Sequence, residues 1–229
     1  MPITRVKTGV PGLDELMEGG LIPGSAVLVA GHTGAGKTLF CLQFLWNGLQ
    51  KGEPGVYISF EQTPEELKDD AMVFGWNFDS YERKGMCKIA FYNPFEIADV
   101  NKLVTDEIGK VRAKRVVIDS TSVFAMYLND EFKVREKLYK LIEKLKQTGC
   151  TILMTSEILE ESKGFSRYGV EEFVADAVLA LYYTGLGGEE YNNIEIRKMR
   201  RTKHARGYFP LEFTNEGLKV IPQSTVPIR

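Results

Sequence analysis

The segment Gly31-His32-Thr33-Gly34-Ala35-Gly36-Lys37-Thr38 constrains this chain most, because it satisfies the pattern G-x-x-x-x-G-K-[ST]. Such a loop must turn consecutive backbone N–H groups inward on a polyphosphate, and glycine permits that close approach. The backbone of Thr33, Gly34, Ala35, Gly36, Lys37, Thr38 and Leu39 is expected to cradle a nucleotide. Lys37 would reach the β- and γ-phosphates, and the Thr38 hydroxyl would face Mg²⁺. The surroundings fit: an apolar strand, Ala26-Val27-Leu28-Val29-Ala30, precedes the loop, and a helical pattern from Leu39 to about Gln50 follows it. That order places phosphates at a helix N-terminus. His32 occupies a variable position and is given no role.

A phosphate loop of this kind needs an acidic residue at the end of another apolar strand to hold the Mg²⁺ shell. Arg115-Val116-Val117-Ile118-Asp119 supplies it, so Asp119 is the expected metal partner of Thr38. Hydrolysis also needs a group that orients or deprotonates water. Glu61 follows the run Val56-Tyr57-Ile58-Ser59-Phe60, at the strand end where open α/β sheets bind ligands. Position alone leaves two readings of Glu61 open: a catalytic glutamate, or an acidic residue ahead of the Thr63 helix cap that favours the helix dipole. The remaining acidic pairs, such as Glu65-Glu66 and Asp69-Asp70, read as solvated surface.

Short apolar runs at residues 25–30, 56–60, 87–92, 116–118, 151–155 and 177–183 alternate with helical patterns at 38–50, 63–74 and 131–147. Several runs are apolar on both parities, as in a parallel sheet covered by helices on both faces. Thr63-Pro64-Glu65-Glu66 has the form of a capping box with proline at the first helical position. Beyond residue 184 the pattern changes: Gly185-Leu186-Gly187-Gly188 reads as a turn, and strands are expected near 191–200, 208–213 and 218–221. Asn215-Glu216-Gly217 supplies turn chemistry between the last two. The expected architecture is α/β, a mainly parallel central sheet flanked by helices with antiparallel C-terminal edge strands. With no linker or internal repeat, residues 1–229 are expected to form one domain.

Composition removes several function classes. Twenty-nine Lys and Arg against 31 Asp and Glu give a net charge of −2, which disfavours a general nucleic-acid coating protein. No apolar run is long enough to span a membrane, and the N-terminal residues carry no secretory pattern. Cys41, Cys87 and Cys150 are widely spaced among apolar neighbours and read as buried free thiols, so a cytoplasmic setting is expected.

One local exception is basic: Lys198, Arg200, Arg201, Lys203, His204 and Arg206 crowd into nine residues. In a regular strand Lys198 and Arg200 share a parity with Ile194 and Ile196. They are therefore expected to project together, about 7 Å apart, beyond the apolar part of one face. Such a pair suits a triphosphate or a nucleic-acid backbone, or else the run is a solvated basic loop.

Taken together, these residues resemble the KaiC domain family within the RecA/RadA group of P-loop ATPases. The resemblance runs from about Thr4 to Ile221. It rests on Thr8-Gly9-Val10-Pro11-Gly12-Leu13-Asp14-Glu15-Leu16, Phe60-Glu61-Gln62-Thr63-Pro64, Ile118-Asp119-Ser120, Met154-Thr155-Ser156-Glu157, Arg167-Tyr168-Gly169-Val170-Glu171-Glu172-Phe173-Val174 and Lys198-Met199-Arg200 through His204. It implies a RecA-like core, hexameric rings, and ATP or ADP bound with Mg²⁺ between subunits. Carried over by position, Glu61 is the hydrolytic glutamate, and Lys198, Arg200 and His204 meet the nucleotide of the neighbouring subunit.

Gln62 departs from the second glutamate of the family's pair, and the chain has one such domain where KaiC has two in tandem. The reading is a homo-oligomeric Mg²⁺-ATPase that acts as a slow switch, with room for a regulatory protein partner. A nucleotide-sensing scaffold with little hydrolysis and a RadA-like DNA-binding recombination accessory protein are the alternatives. Acidic Glu157, Glu160 and Glu161 weigh against the last, since they occupy the place of a recombinase DNA-contacting loop. The resemblance leaves autophosphorylation open, and the sequence names no acceptor for it.

Overall fold

The computed structural model describes residues 4–222 except 94, 95, 98, 123–130, 159–163, 168, 187 and 188. A short 3-10 turn, Asp14–Met17, leads into strand β1 (Ala26–Gly31) and helix α1 (Lys37–Gln50). There follow β2 (Gly55–Ser59), α2 (Pro64–Met72), α3 (Phe78–Glu82), β3 (Cys87–Phe91), α4 (Val100–Val111) and β4 (Arg115–Asp119). The chain continues through α5 (Glu131–Gln147), β5 (Thr151–Glu157), α6 (Glu171–Val174), β6 (Ala177–Leu186), β7 (Glu189–Met199), β8 (Tyr208–Thr214) and β9 (Gly217–Val220). These strands form one sheet in the order β3-β2-β4-β5-β1-β6-β7-β8-β9. Strands β1 to β6 pair in parallel, and β7, β8 and β9 extend the sheet antiparallel. The fold is the α/β arrangement read from the alternation of apolar runs and helical patterns.

Both faces of β1, β2, β4 and β5 are buried because these strands are largely apolar on both parities, whereas the edge strand β3 exposes Lys88 and Phe91. One face gathers Val27, Val29, Tyr57, Val117, Leu153 and Leu179 against Phe40, Phe44 and Leu45 of α1 and Phe209 and Leu211 of β8. The other gathers Leu28, Ile58, Val116, Ile118, Ile152 and Met154 against Val104 and Ile108 of α4 and Leu141, Ile142 and Leu145 of α5. Each fully buried aliphatic or aromatic side chain contributes about 1.5–3 kcal/mol, so the two layers hold the sheet rigid beneath its loops. Strand register then collects the ends that matter. Gly31 pairs with Glu157 and Ser59 with Asp119, so the ends of β1, β2, β4 and β5 share one edge.

Thr63 caps α2 as expected: its hydroxyl accepts from the Glu66 N–H, and the Glu66 carboxylate accepts from the Thr63 N–H at 2.8 Å. Cys41, Cys87 and Cys150 are buried and free. Helix α2 stops at Met72 rather than Phe74, and β6 runs through Gly185 and Leu186, where a turn was expected; Gly187 and Gly188 lie outside the described residues. Helix α4 was not expected at all. Its Val100, Val104, Thr105 and Val111 are β-branched and Gly109 interrupts it, which masks a helix capped by the Asp99 side chain.

The parity expected for the basic strand is overturned. Val178 pairs with Lys198 but Leu179 pairs with Ile196, so Arg197 is the extra residue of a β-bulge. Ile194, Ile196 and Met199 therefore lie in the core on the α1 face. Lys198 turns to the opposite face, where its ammonium reaches the carbonyls of Glu172 and Ala175 beside α6.

Candidate active site

The loop between β1 and α1 takes a shape that glycine makes possible. Gly34 has φ 79° and Gly36 φ 93°, both left-handed, and a Cβ on Gly36 would sit 2.8 Å from the Phe213 ring. Gly36 is also the N-cap of α1, so the first N–H groups of the helix open onto the loop. The Lys37 ammonium donates to the carbonyls of Gly31 and His32, at 2.9 Å each. Burial pulls Lys37 below its ordinary pKa of 10.5, while Glu157, Asp119 and Glu61 act in the opposite sense.

Asp119 ends β4 and faces Thr38, whose hydroxyl donates to Oδ2 at 3.1 Å. Two further hydroxyls hold this carboxylate: Tyr57 donates to Oδ2 at 2.5 Å and Thr155 to Oδ1. The peptide bond between Asp119 and Ser120 is cis. The Thr38–Asp119 pair fits Mg²⁺, which keeps most of its water and substrate oxygens and needs few protein ligands. Among the described residues no cluster of three His, Cys, Asp or Glu side chains could hold a metal by itself.

Glu61 stands just past β2. The Ser59 hydroxyl accepts from the N–H groups of Glu61 and Gln62 at 3.2 and 2.9 Å, which fixes the turn, and Ser120 donates to Glu61 Oε1 at 2.5 Å. Desolvation raises the Glu61 pKa above 4.5; the Ser120 hydrogen bond opposes that, and the negative charges of Asp119 and Glu157 add to it. Gln62 turns away, its amide donating to Asp70 at 3.2 Å. Lys37, Thr38, Glu61, Asp119 and Glu157 line one cleft of about 540 Å³, with Leu39, Val73 and Phe74 as an apolar flank. The structure thus brings together the loop, the strand-end aspartate and the glutamate that the sequence nominated. Glu157 pairs with Arg167 at 2.8 Å, and Glu160 and Glu161 lie outside the described residues.

Lys198 and Arg200 are elsewhere. Lys198 is level with Val178 and hence Leu28, three residues, or about 10 Å, before Gly31 along the strand direction. Arg200 follows at the same far edge and donates to Asp176 Oδ1 at 3.2 Å. It lines a separate cavity of about 570 Å³ with Arg135, Tyr139, Lys146 and Phe173, on the face opposite α1. The His204 Nδ1 lies 2.9 Å from the Ala205 carbonyl, and the Ala205 N–H is tied to Leu16. Lys198 and Arg200 therefore lie away from the phosphate loop of their own chain, on the other face and at the other edge of the sheet.

Sequence reasoning missed Tyr57, Ser59, Ser120 and Thr155. A tyrosine inside an otherwise apolar buried strand is the one readable signal, since a buried phenol must find an acceptor.

The family model described as "ATPase: KaiC" matches residues 6–225. A UPF0273 protein of Thermotoga maritima is 38% identical over 96% of this chain and 97% of its own length. The circadian clock oscillator protein KaiC of Synechococcus elongatus is also 38% identical over 96% of this chain, which spans only 44% of that longer protein. A crystal structure of a KaiC-like protein from Pyrococcus horikoshii superposes with a TM-score of 0.87 at 39% identity, covering 96% of this chain and all of that one.

Proposed function

Because this chain belongs to the KaiC family of ATPases, we propose that it is a Mg²⁺-dependent ATP hydrolase. Its sites are completed between copies of the chain in a homo-oligomeric ring, hexameric as the family resemblance implies, and it works as a slow regulatory switch. The observation that carries this reading is the separation of the cations. The cleft around Lys37 holds the loop, the Mg²⁺ residues Thr38 and Asp119, and Glu61. Lys198 and Arg200 sit away from that cleft, where they bond to Glu172, Ala175 and Asp176 of their own chain and can meet a nucleotide only if a second copy presents one.

Each residue then has a task. The loop N–H groups and Lys37 bind the β- and γ-phosphates of ATP. Asp119 accepts the Thr38 proton and leaves that hydroxyl's lone pair for Mg²⁺, which supplies charge neutralisation when bound. Glu61 orients the attacking water and takes its proton; a carboxylate raised toward the working pH is better matched to that task than an ordinary one. Lys198 and Arg200 of the adjacent copy stabilise the charge that develops on the γ-phosphoryl, with His204 beside the same nucleotide. The Ser120 hydroxyl holds Glu61 Oε1, which orients the carboxylate and leaves Oε2 to accept from the water.

The test mixes subunits. Lys37→Ala and Arg200→Ala rings should each be nearly inactive in a phosphate-release assay. Mixed rings contain some interfaces that pair an intact loop with an intact arginine, so activity should partly return. Verified mixed rings that recover nothing while both variants assemble and Arg200→Ala still binds ATP would reject the shared site.

A further inference from the structure

A buried phenol touches the carboxylate that the Mg²⁺ shell depends on, and the strand register explains how. Ser59 pairs with Asp119 and Tyr57 with Val117 in the parallel β2–β4 ladder. Tyr57 and Asp119 are thus diagonal neighbours on one face, a separation a long aromatic side chain spans and a serine or threonine does not. Tyr57 is fully buried, with 0% of its surface exposed, so its hydroxyl has no water to fall back on. It donates to Asp119 Oδ2 at 2.5 Å, the same oxygen that takes the Thr38 hydroxyl at 3.1 Å. Thr155, on β5 at the other side of β4, donates to Oδ1.

A carboxylate held by one donor turns freely about its terminal torsion, which has a broad energy profile. Held from two strands at once, it has one orientation. We propose that Tyr57, with Thr155 opposite it, is a positioning residue that fixes the Asp119 carboxylate against Thr38 and thereby sets the affinity of the site for Mg²⁺. The proposal rests on the Mg²⁺-ATP reading above and adds to it a residue that acts only through Asp119. Residues that orient metal-site partners typically change metal affinity 10- to 100-fold when removed.

Tyr57→Phe removes one oxygen and keeps the ring that packs in the core. Binding of a fluorescent ATP analogue in EDTA should stay within about twofold of the parent, while the Mg²⁺ concentration that half-saturates tight binding should rise about tenfold. Thr155→Val should move that midpoint in the same direction and Thr155→Ser should restore it, which keeps the test decisive where Tyr57→Phe is poorly folded. An unmoved Mg²⁺ midpoint in folded Tyr57→Phe, or equal weakening with and without Mg²⁺, overturns the proposal and leaves the ATPase reading standing. A parent chain that binds no nucleotide overturns both.

Discussion

Two carboxylates at opposite edges of the sheet carry opposite burdens. At the phosphate-loop edge, burial raises the pKa of Glu61, so its charged form is held in an unfavourable place. At the far edge Asp176 also suffers desolvation, but Lys146 at 2.6 Å, the Ala26 N–H at 3.0 Å and Arg200 at 3.2 Å outweigh it and leave the pKa lowered. Among the described residues Glu61 has a single side-chain donor, Ser120, and the charge of Lys37 is set against those of Asp119 and Glu157. The difference separates the part of the molecule shaped for chemistry from the part shaped for stability. At the phosphate-loop edge desolvation outweighs the help of Ser120 and Lys37, whereas at the far edge the partners of Asp176 outweigh desolvation.

The largest break in this comparison is kinetic. Glu61→Gln keeps the shape and an acceptor oxygen for Ser120 but removes the base, so kcat is expected to fall on the order of 10²-fold or more, the range for a positioned general base. ATP affinity should change little. In the parent, activity should decline as pH falls through the raised Glu61 pKa, an acid limb above the ordinary 4.5 and absent from the variant. Single-turnover hydrolysis equal in parent and variant would favour the nucleotide-sensing scaffold over the hydrolase.

Asp176→Asn probes the other edge. The asparagine can still accept from Ala26 but leaves Lys146 and Arg200 without a counter-charge. A charge-assisted hydrogen bond is worth about 1.5–3 kcal/mol. The expected loss is near the lower figure, about 1.5 kcal/mol, because Lys146 and Arg200 are partly exposed and regain water. For a chain of this size that corresponds to a melting temperature lower by roughly 3–6 °C. The folded pKa of Asp176 lies below 3.8, so its contribution is present above that pH and is lost as pH falls through the lowered value. Calorimetry in which the two proteins melt together at neutral pH would contradict the network as a source of stability.

How much of this was legible follows from what local pattern encodes. The phosphate loop, Asp119 and Glu61 could be read because each stands where an apolar run stops, and a run of five or six apolar residues is visible without knowing its neighbours. The sheet order was not read, yet it alone places Gly31, Ser59, Asp119 and Glu157 at one edge. Lys198 was mis-faced because a bulge at Arg197 changes parity without any glycine or proline to announce it. The Tyr57–Asp119 contact joins residues 62 positions apart through a strand pairing, so no window along the chain contains it. The same holds for Asp176, whose partners come from β1, α5 and the segment after β7.

The smallest effect is also the one in which the two edges differ in sign. Because the folded pKa of Glu61 is raised, its protonated form is favoured in the folded chain. The stabilisation that protonation brings is fully present below about 4.5 and is lost as pH rises through the folded value. At neutral pH the parent therefore carries an ionised Glu61 as a net cost, and Glu61→Gln should be slightly more stable than the parent. Much of the Glu61 residue stays in solvent although its carboxyl is partly desolvated in the cleft, so screening reduces that gain to about 0.5 kcal/mol, or a melting temperature higher by roughly 1–2 °C. The gain should shrink on acidification and vanish below about pH 4.5, where the parent's carboxyl is neutral as well. Paired melts across this range should show the Glu61→Gln difference falling to zero from above while the Asp176→Asn deficit persists, to be lost only as pH falls below 3.8. A Glu61→Gln variant less stable than the parent at pH 7 would mean that the Ser120 contact and local packing outweigh desolvation, and the phosphate-loop edge would then not be the destabilised one.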